Sequence, residues 1–119
     1  MAEKFKIQGG ETLKGEVSIG GAKNAVLKLL AATILVKGKT KIYNVPQLTD
    51  VEIMLNVLSD LGASYIYDKK EKSVEIDASN ISSITAKYEL VSKMRASFII
   101  LGALMSRCRE AIVALPGGC

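Results

Sequence analysis

Lys23 to Pro46 read KNAVLKLLAATILVKGKTKIYNVP, and the spacing of apolar residues changes within this segment. From Ala22 to Val36 the residues are apolar on nearly every side of a helix, which is typical of a helix enclosed by other elements. Gly38 ends this pattern, and Lys41 to Val45 predicts a strand that runs into Pro46. A buried helix followed at once by a strand indicates an α/β fold.

Upstream of this pair, apolar and polar residues alternate. Phe5 and Ile7 predict one short half-buried strand, and Leu13 to Ile19 predict a second one. The Gly9-Gly10 pair between them is typical of a hairpin turn.

Downstream, Thr49 and Glu52 have the spacing of a capping box, so a second helix is predicted to begin there. Gly62 is a typical C-terminal stop for that helix. Two strands, Ser64 to Tyr67 and Ser73 to Ile76, follow around a charged turn. The chain up to this point therefore predicts one unit with the order strand, helix, strand, helix, strand, strand.

A second unit begins after the first. A shift of 70 residues places Lys23 to Pro46 on Lys93 to Pro116, KMRASFIILGALMSRCREAIVALP, without a gap. Identity is low, so chance similarity is an alternative, but the shared order of elements favours an internal repeat. In this alignment Cys119 takes the position of Thr49. We therefore expect the second unit to be unfinished and the chain to be a piece of a longer protein.

Composition excludes several classes of function. The net charge is +4, the lysines are scattered and aromatic residues make up only 5%, which argues against a nucleic-acid surface. Without histidine, a general acid or base must be Cys, Lys, Tyr, Asp or Glu, and a histidine-ligated metal is excluded. The apolar run from Ala96 to Met105 is too short to cross a membrane. Two cysteines and no signal peptide indicate free thiols in the cytoplasm.

Two basic residues are candidates for binding an anion. Lys23 follows Gly20-Gly21 and opens the first helix, where free N–H groups and the helix dipole favour negative charge. The alternative is a solvated lysine at a helix start. Arg95 falls on Ala25 in the repeat, in the first turn of the equivalent helix, and needs an anionic partner if it is buried. The alternative there is a surface arginine or an ion pair with Glu89.

One cysteine is a candidate for chemistry. Cys119 follows Gly117-Gly118, close to the predicted start of a helix, where the pKa of a thiol falls and its reactivity rises. Cys108 lies in or just after an apolar helix and fits an inert core residue.

Together these segments resemble a known family. GAKNA, MRAS and LPGGC, in this order and spacing within a match over essentially the whole chain, are similar to the UDP-N-acetylglucosamine 1-carboxyvinyltransferases, the enolpyruvyl transferases that begin peptidoglycan synthesis. Gly20, where serine is common, and Lys28, where proline is common, depart from the pattern.

The resemblance implies an inside-out α/β barrel with two domains, each built from three βαβαββ units. Residues 1–21 would be strands that pack with the second domain. Residues 22–119 would be part of the first domain, with one complete unit and an unfinished second one.

The resemblance also implies an activity: transfer of the enolpyruvyl group of phosphoenolpyruvate to the 3′-hydroxyl of UDP-N-acetylglucosamine, with release of phosphate. Lys23 and Asn24 would contact phosphoenolpyruvate, and Arg95 would contact the UDP-sugar. Cys119 would be the proton donor and the thiol that fosfomycin alkylates. No cofactor, metal, nucleic acid or membrane is implied, and the enzymes are cytoplasmic. We expect the 119 residues alone to be inactive, because the rest of the polypeptide carries the other walls of the site.

Two alternatives stay open. One is the related transferase that acts on shikimate 3-phosphate, which shares the fold and phosphoenolpyruvate but does not need the PGGC cysteine. The other is a non-catalytic anion-binding module of the same fold.

Overall fold

The structure, a computed structural model, describes residues 3–86 and 97–113. Its helices are α1 (Lys23–Ala32), which continues as a 3-10 turn (Thr33–Leu35), α2 (Thr49–Asp60) and α3 (Ser97–Cys108). Its strands are β1 (Lys39–Ile42), β2 (Ser64–Asp68), β3 (Ser73–Asp77), β4 (Thr85–Ala86) and β5 (Ile112–Val113). The predicted α/β class is confirmed.

The first three strands form an antiparallel sheet in the order β1-β3-β2. Val74 of the central strand β3 lies opposite Ile42 on one side and Tyr67 on the other. The predicted hairpin of two strands around a charged turn is therefore confirmed, and a third strand, β1, completes the sheet. Val74 and Ile76 are fully buried, because they project from β3 into the core that the helices cover.

All three described helices contribute to one hydrophobic core. Its largest fully buried side chains come from α1 and its 3-10 turn, from α2 and from α3: Leu30, Ile34, Met54, Leu55, Leu58, Ile100 and Leu104. Burial of each such side chain stabilises the fold by about 1.5–3 kcal/mol. The prediction that α1 is enclosed on nearly all sides is wrong within this chain, since Leu29 is 53% exposed.

Arg107, near the end of α3, ties the second unit to the first. Its Nη1 atom donates to the carbonyl oxygen of Ile34 at 2.8 Å, and its Nη2 atom donates to that of Ser79 at 3.3 Å. Ile34 lies in the 3-10 turn at the end of α1 and Ser79 follows β3, so the guanidinium supplies hydrogen-bond donors to carbonyls at the ends of two elements.

The strands β4 and β5 form a short parallel pair, and the order of α3 and β5 agrees with the predicted repeat. The helix α3 and the strand β5 occupy the positions that the 70-residue shift assigns to a helix and a strand. The start predicted for this helix and the chain's last six residues lie outside the described ranges. Within those ranges, every helix is too short or too polar to span a lipid bilayer.

The two strands predicted before α1 are not formed. Residues 3–20 contain no helix or strand, and the apolar side chains of the predicted strands are 88–99% exposed at Phe5, Ile7, Leu13, Val17 and Ile19. A strand needs a neighbour for its N–H and C=O groups, and no described residue pairs with this segment as a ladder. The alternation is present in the sequence, but none of the described residues provides a partner strand for it.

The start of α2 also differs from the prediction. Leu48 is the N-cap residue, Thr49 is the first helical residue, and no side chain caps the helix. The carboxylate of Glu52, which a capping box would turn back to the helix start, instead accepts from Nζ of Lys69 at 3.2 Å. The ion pair of Glu52 with the β2–β3 turn takes the place of the predicted capping hydrogen bond at the start of α2.

The end of α2 is as predicted. Gly62 has a φ of +117°, and its N–H donates to Ser59 at 3.1 Å, while the N–H of Ala63 donates to Leu58 at 3.0 Å. This is the Schellman arrangement, which needs a residue with left-handed backbone. A Cβ atom at position 62 would also lie 2.7 Å from the backbone oxygen of Asn80.

We therefore expect Gly62→Ala to lower the free energy of unfolding by about 1–3 kcal/mol, because it combines a strained φ with a steric overlap. Urea unfolding of the protein measures the effect. Gly38→Ala is the matched control, since nothing lies within 4 Å of a Cβ atom there. Equal losses in the two variants would contradict this account of the helix end.

Candidate functional site

Two of the four predicted site residues lie in the described part of the chain. Lys23 and Asn24 are the first two residues of α1, and both are exposed. Arg95 and Cys119 lie outside the described residues, so their roles stay predictions. The site is described here as the helix-start junction, meaning residues 20–24 together with residues 44–50.

The first turn of α1 is open to an anion. Ala22 is the N-cap residue in extended conformation, and its carbonyl accepts from the N–H of Val26 at 3.0 Å. No side chain caps this end of the helix. The first N–H groups of a helix have no partner within it and point outward, and the helix dipole adds positive potential. Lys23 adds a full positive charge at the same place.

Close backbone packing fixes the start of α1. A Cβ atom on Gly21 would overlap the backbone oxygen of Asn44 and would lie 3.2 Å from Cδ of Pro46. Asn44 itself has a φ of +57°, and its Nδ2 atom donates to the carbonyl of Ile19 at 3.3 Å. A glycine is therefore required at position 21, because the loop from β1 to α2 passes too close for a side chain.

That loop is in turn held by the β2–β3 hairpin. The N–H of Val45 donates to Lys72 at 2.8 Å, and Nε2 of Gln47 donates to Lys69 at 3.0 Å. The hydroxyl of Tyr67 donates to the carbonyl of Pro46 at 3.4 Å, and burial raises the pKa of this hydroxyl, which keeps its proton. A series of hydrogen bonds and close contacts thus runs from the hairpin through the loop to the start of α1.

An open cavity of about 410 Å³ lies against the junction. Its lining includes Gly20, Gly21, Asn44, Gln47 and Lys72, but neither Lys23 nor Asn24. It is therefore distinct from the surface that the two predicted residues offer to an anion. Across the described ranges, no group of three or more Cys, Asp or Glu side chains is placed to hold a metal ion.

Asp50 is a member of the site that the sequence analysis missed. It is the second residue of α2, and its Oδ2 atom lies 3.3 Å from Nζ of Lys23. An acidic residue in a first helical turn is a readable signal. Its contact with Lys23 cannot be read from the sequence, because that contact depends on how the starts of α1 and α2 pack together.

Comparison with known proteins assigns the chain to a family. The family described as EPSP synthase (3-phosphoshikimate 1-carboxyvinyltransferase) matches residues 7–119. The chain belongs to the EPSP synthase family. The match includes the whole helix-start junction and the segments that carry Arg95 and Cys119.

Curated relatives carry the more specific name. UDP-N-acetylglucosamine 1-carboxyvinyltransferase of Dichelobacter nodosus (strain VCS1703A) is 56% identical over 117 residues, which is 98% of this chain. UDP-N-acetylglucosamine 1-carboxyvinyltransferase 1 of Staphylococcus aureus (strain N315) is 51% identical over 118 residues. The chain spans about a quarter of the length of these relatives, 28% in both cases.

A solved member of the same fold supports the architecture. The enolpyruvyl transferase NikO from Streptomyces tendae superposes with a TM-score of 0.71 and 27% sequence identity over 83% of this chain and 23% of its own. The predicted enolpyruvyl transferase fold is therefore confirmed for this EPSP synthase family chain, as an incomplete part of it.

Gly21→Ala is expected to displace the start of α1 from the loop at Asn44, since the added methyl group overlaps a backbone oxygen that cannot rotate away. The expected result is an unfolding free energy lower by about 1–3 kcal/mol, measured by urea unfolding. Gly20→Ala is the matched control, because nothing lies within 4 Å of a Cβ atom there. A tolerated alanine at position 21 would contradict the close packing described above.

Proposed function

We propose that the protein containing this chain transfers the enolpyruvyl group of phosphoenolpyruvate to the 3′-hydroxyl of UDP-N-acetylglucosamine, in the cytoplasm, as a step of peptidoglycan synthesis. The 51–56% identity to enzymes named for this reaction is the observation that carries the proposal. The chain supplies one wall of the site, and the rest of the polypeptide supplies the others.

The exposed start of α1 suits phosphoenolpyruvate. This substrate carries a phosphate and a carboxylate, and both are bound well by helix N-termini and by basic side chains. The side chain of Lys23 is half exposed, and the amide of the exposed Asn24, the next residue, offers both donor and acceptor atoms. We assign phosphoenolpyruvate to these two residues and the UDP-sugar to Arg95.

Cys119 is the proposed proton donor to the methylene carbon of phosphoenolpyruvate. Protonation there makes the adjacent carbon electron-poor. The sugar hydroxyl attacks that carbon and gives its proton to a base in the rest of the polypeptide, which forms the tetrahedral adduct. Loss of phosphate together with a proton of the new methyl group then forms the enolpyruvyl ether. Without histidine in the chain, a thiol is the most suitable acid near neutral pH that these residues offer. The same thiol is the proposed target of alkylation by fosfomycin.

Cysteine variants of the full-length protein test this assignment. Cys119→Ala is expected to lose phosphate release by about a hundredfold or more, the usual contribution of a general acid, and to lose labelling by fosfomycin. Cys108→Ala is the matched control, since that free thiol is half-buried against the core in α3. Labelling that persists in Cys119→Ala would contradict the assignment.

The family description favours a second candidate, transfer to shikimate 3-phosphate. The two reactions share phosphoenolpyruvate and differ in the acceptor hydroxyl. Phosphate release by the full-length protein with each acceptor separates them, and we expect turnover with UDP-N-acetylglucosamine alone. Turnover with shikimate 3-phosphate would replace the proposed reaction, and binding without turnover of either acceptor would indicate a non-catalytic module.

We also propose that residues 1–21 pack, as strands, with a second domain outside this chain. Side chains of Phe5 and Val17 are 99% and 90% exposed here, and such apolar residues alternating with polar ones form one face of a strand that needs a cover. Pairing with a sheet of that domain would supply both the cover and the missing ladder.

Val17→Asp is expected to lower the free energy of unfolding of the full-length protein by about 2 kcal/mol or more, because a charge would be buried at the covered face. Ser18→Asp, one residue along on the opposite face, is the control and is expected to change little. Circular dichroism and urea unfolding measure both. Indifference to the aspartate at position 17 would show that this face remains in water.

A further inference from the structure

The ion pair between Lys23 and Asp50 joins the starts of two helices. The distance from Nζ to Oδ2 is 3.3 Å, and the side chains are 50% and 30% exposed. The other ion pairs found in the described residues involve the β2–β3 turn, through Glu71 and Lys69. This one alone among them includes a residue that the proposed function places on substrate.

The helix dipoles have opposite effects on the two charges. Asp50 lies in the first turn of α2, where the helix dipole favours a carboxylate. Lys23 is the first residue of α1, where the same effect disfavours an ammonium by about 0.3–1 kcal/mol. Nothing in its own helix therefore holds Lys23 in place, and its four-carbon stem is flexible. The ion pair with Asp50, on the neighbouring helix, restrains the ammonium of Lys23.

The backbone at Asp50 is held firmly. Asp50 directly follows the loop that is tied to the hairpin by the hydrogen bonds of Val45 with Lys72 and of Gln47 with Lys69. Asp50 thus belongs to a part of the structure that the sheet positions, whereas Lys23 stands on an uncapped helix end.

An exposed pair of this kind contributes roughly 0–1 kcal/mol to stability, so its main consequence concerns the position of the ammonium. An ammonium has three donors, and one bond to Asp50 leaves two for a substrate anion. The carboxylate therefore orients Lys23 without consuming its ability to bind.

We propose that Asp50 is a positioning residue that holds the ammonium of Lys23 where the reacting phosphoenolpyruvate needs it. This inference rests on the proposed function. Asp50 itself need not touch the substrate, because a second negative charge at an anion site opposes binding. Its removal should therefore lower kcat and leave KM for phosphoenolpyruvate nearly unchanged.

The first test is a double-mutant cycle on the full-length enzyme. Asp50→Ala is expected to lower kcat by about ten- to a hundredfold, the effect of misplacing a contact group, with KM for phosphoenolpyruvate changed by less than about threefold. In a Lys23→Ala background the same change should have almost no further effect, because Asp50 acts through Lys23. Additive effects would overturn the proposal, since a merely structural role of Asp50 does not depend on Lys23.

Glu52→Ala is the matched control. Glu52 lies in the same first turn of α2 and forms an ion pair of nearly the same length, but with Lys69. We expect unchanged kinetics from it in both backgrounds. Asp50→Asn, which keeps the shape without the charge, separates loss of charge from loss of packing and should reproduce most of the Asp50→Ala effect on kcat.

The second test reads the position of Lys23 without turnover. Acetic anhydride acylates exposed lysines, and peptide mass spectrometry gives the rate at each site. Asp50→Ala should speed acylation of Lys23 severalfold relative to Lys28 on the same helix, whereas Glu52→Ala should not. An unchanged rate at Lys23 would overturn the proposal.

The two ways to fail are distinguishable. An unaltered protein that releases no phosphate from phosphoenolpyruvate with UDP-N-acetylglucosamine overturns the proposed function, and the catalytic meaning of the pair with it. An unaltered protein that turns over, combined with additive kinetics or unchanged acylation, overturns only the role of Asp50. Equal urea midpoints of the variants show that each is folded.

Discussion

The candidate site depends on one close contact between backbones, that of Gly21 with the carbonyl of Asn44. It lets the loop from β1 to α2 pass directly against the start of α1, which brings Lys23 within reach of Asp50. Any larger residue at position 21 would push the two segments apart by the width of a methyl group. Because interiors are packed densely, such a displacement is transmitted to the helix rather than absorbed. The position of the cation is thus set by backbone packing at a residue that carries no side chain.

Helix α3 completes the core of the elements before it. Ile100 and Leu104, one turn apart on α3, are fully buried against that core, and Arg107 bonds to Ile34 and Ser79. Without α3 the inner face of α1 would be partly uncovered, as Leu29 on the outer face is. Structural repeats bury their apolar faces only by stacking on their neighbours. The exposed outer face of α1 is what the proposed repeat leads us to expect of a chain that spans about a quarter of its relatives' length.

The sequence alone predicts the features that neighbouring residues determine. The hairpin, the helix α2 and its end at Gly62 follow from alternation, periodicity and a glycine, each of which acts over a few residues. It was insufficient where a distant partner decides the outcome. Glu52 pairs with Lys69 in place of capping its own helix, and the segment around Val17 has the pattern of a strand but no neighbour to pair with. Asp50 was missed for the same reason, since its role depends on a contact across 27 positions of the chain.

The repeat offers one explanation of why the predicted site residues fall where they do. Under the 70-residue shift, Arg95 takes the place of Ala25 in the first turn of α1, and Cys119 takes that of Thr49 at the start of α2. The predicted repeat would therefore place both of them at a helix start, where the structure already has Lys23, Asn24 and Asp50. Helix starts are where unpaired N–H groups and dipoles favour anions. A fold that brings the starts of successive helices together forms a surface that favours anions through its backbone N–H groups. Individual side chains then add charge and chemistry to that surface. The cysteine and the arginine would do so in the second unit, as we propose for Lys23 and Asp50 in the first.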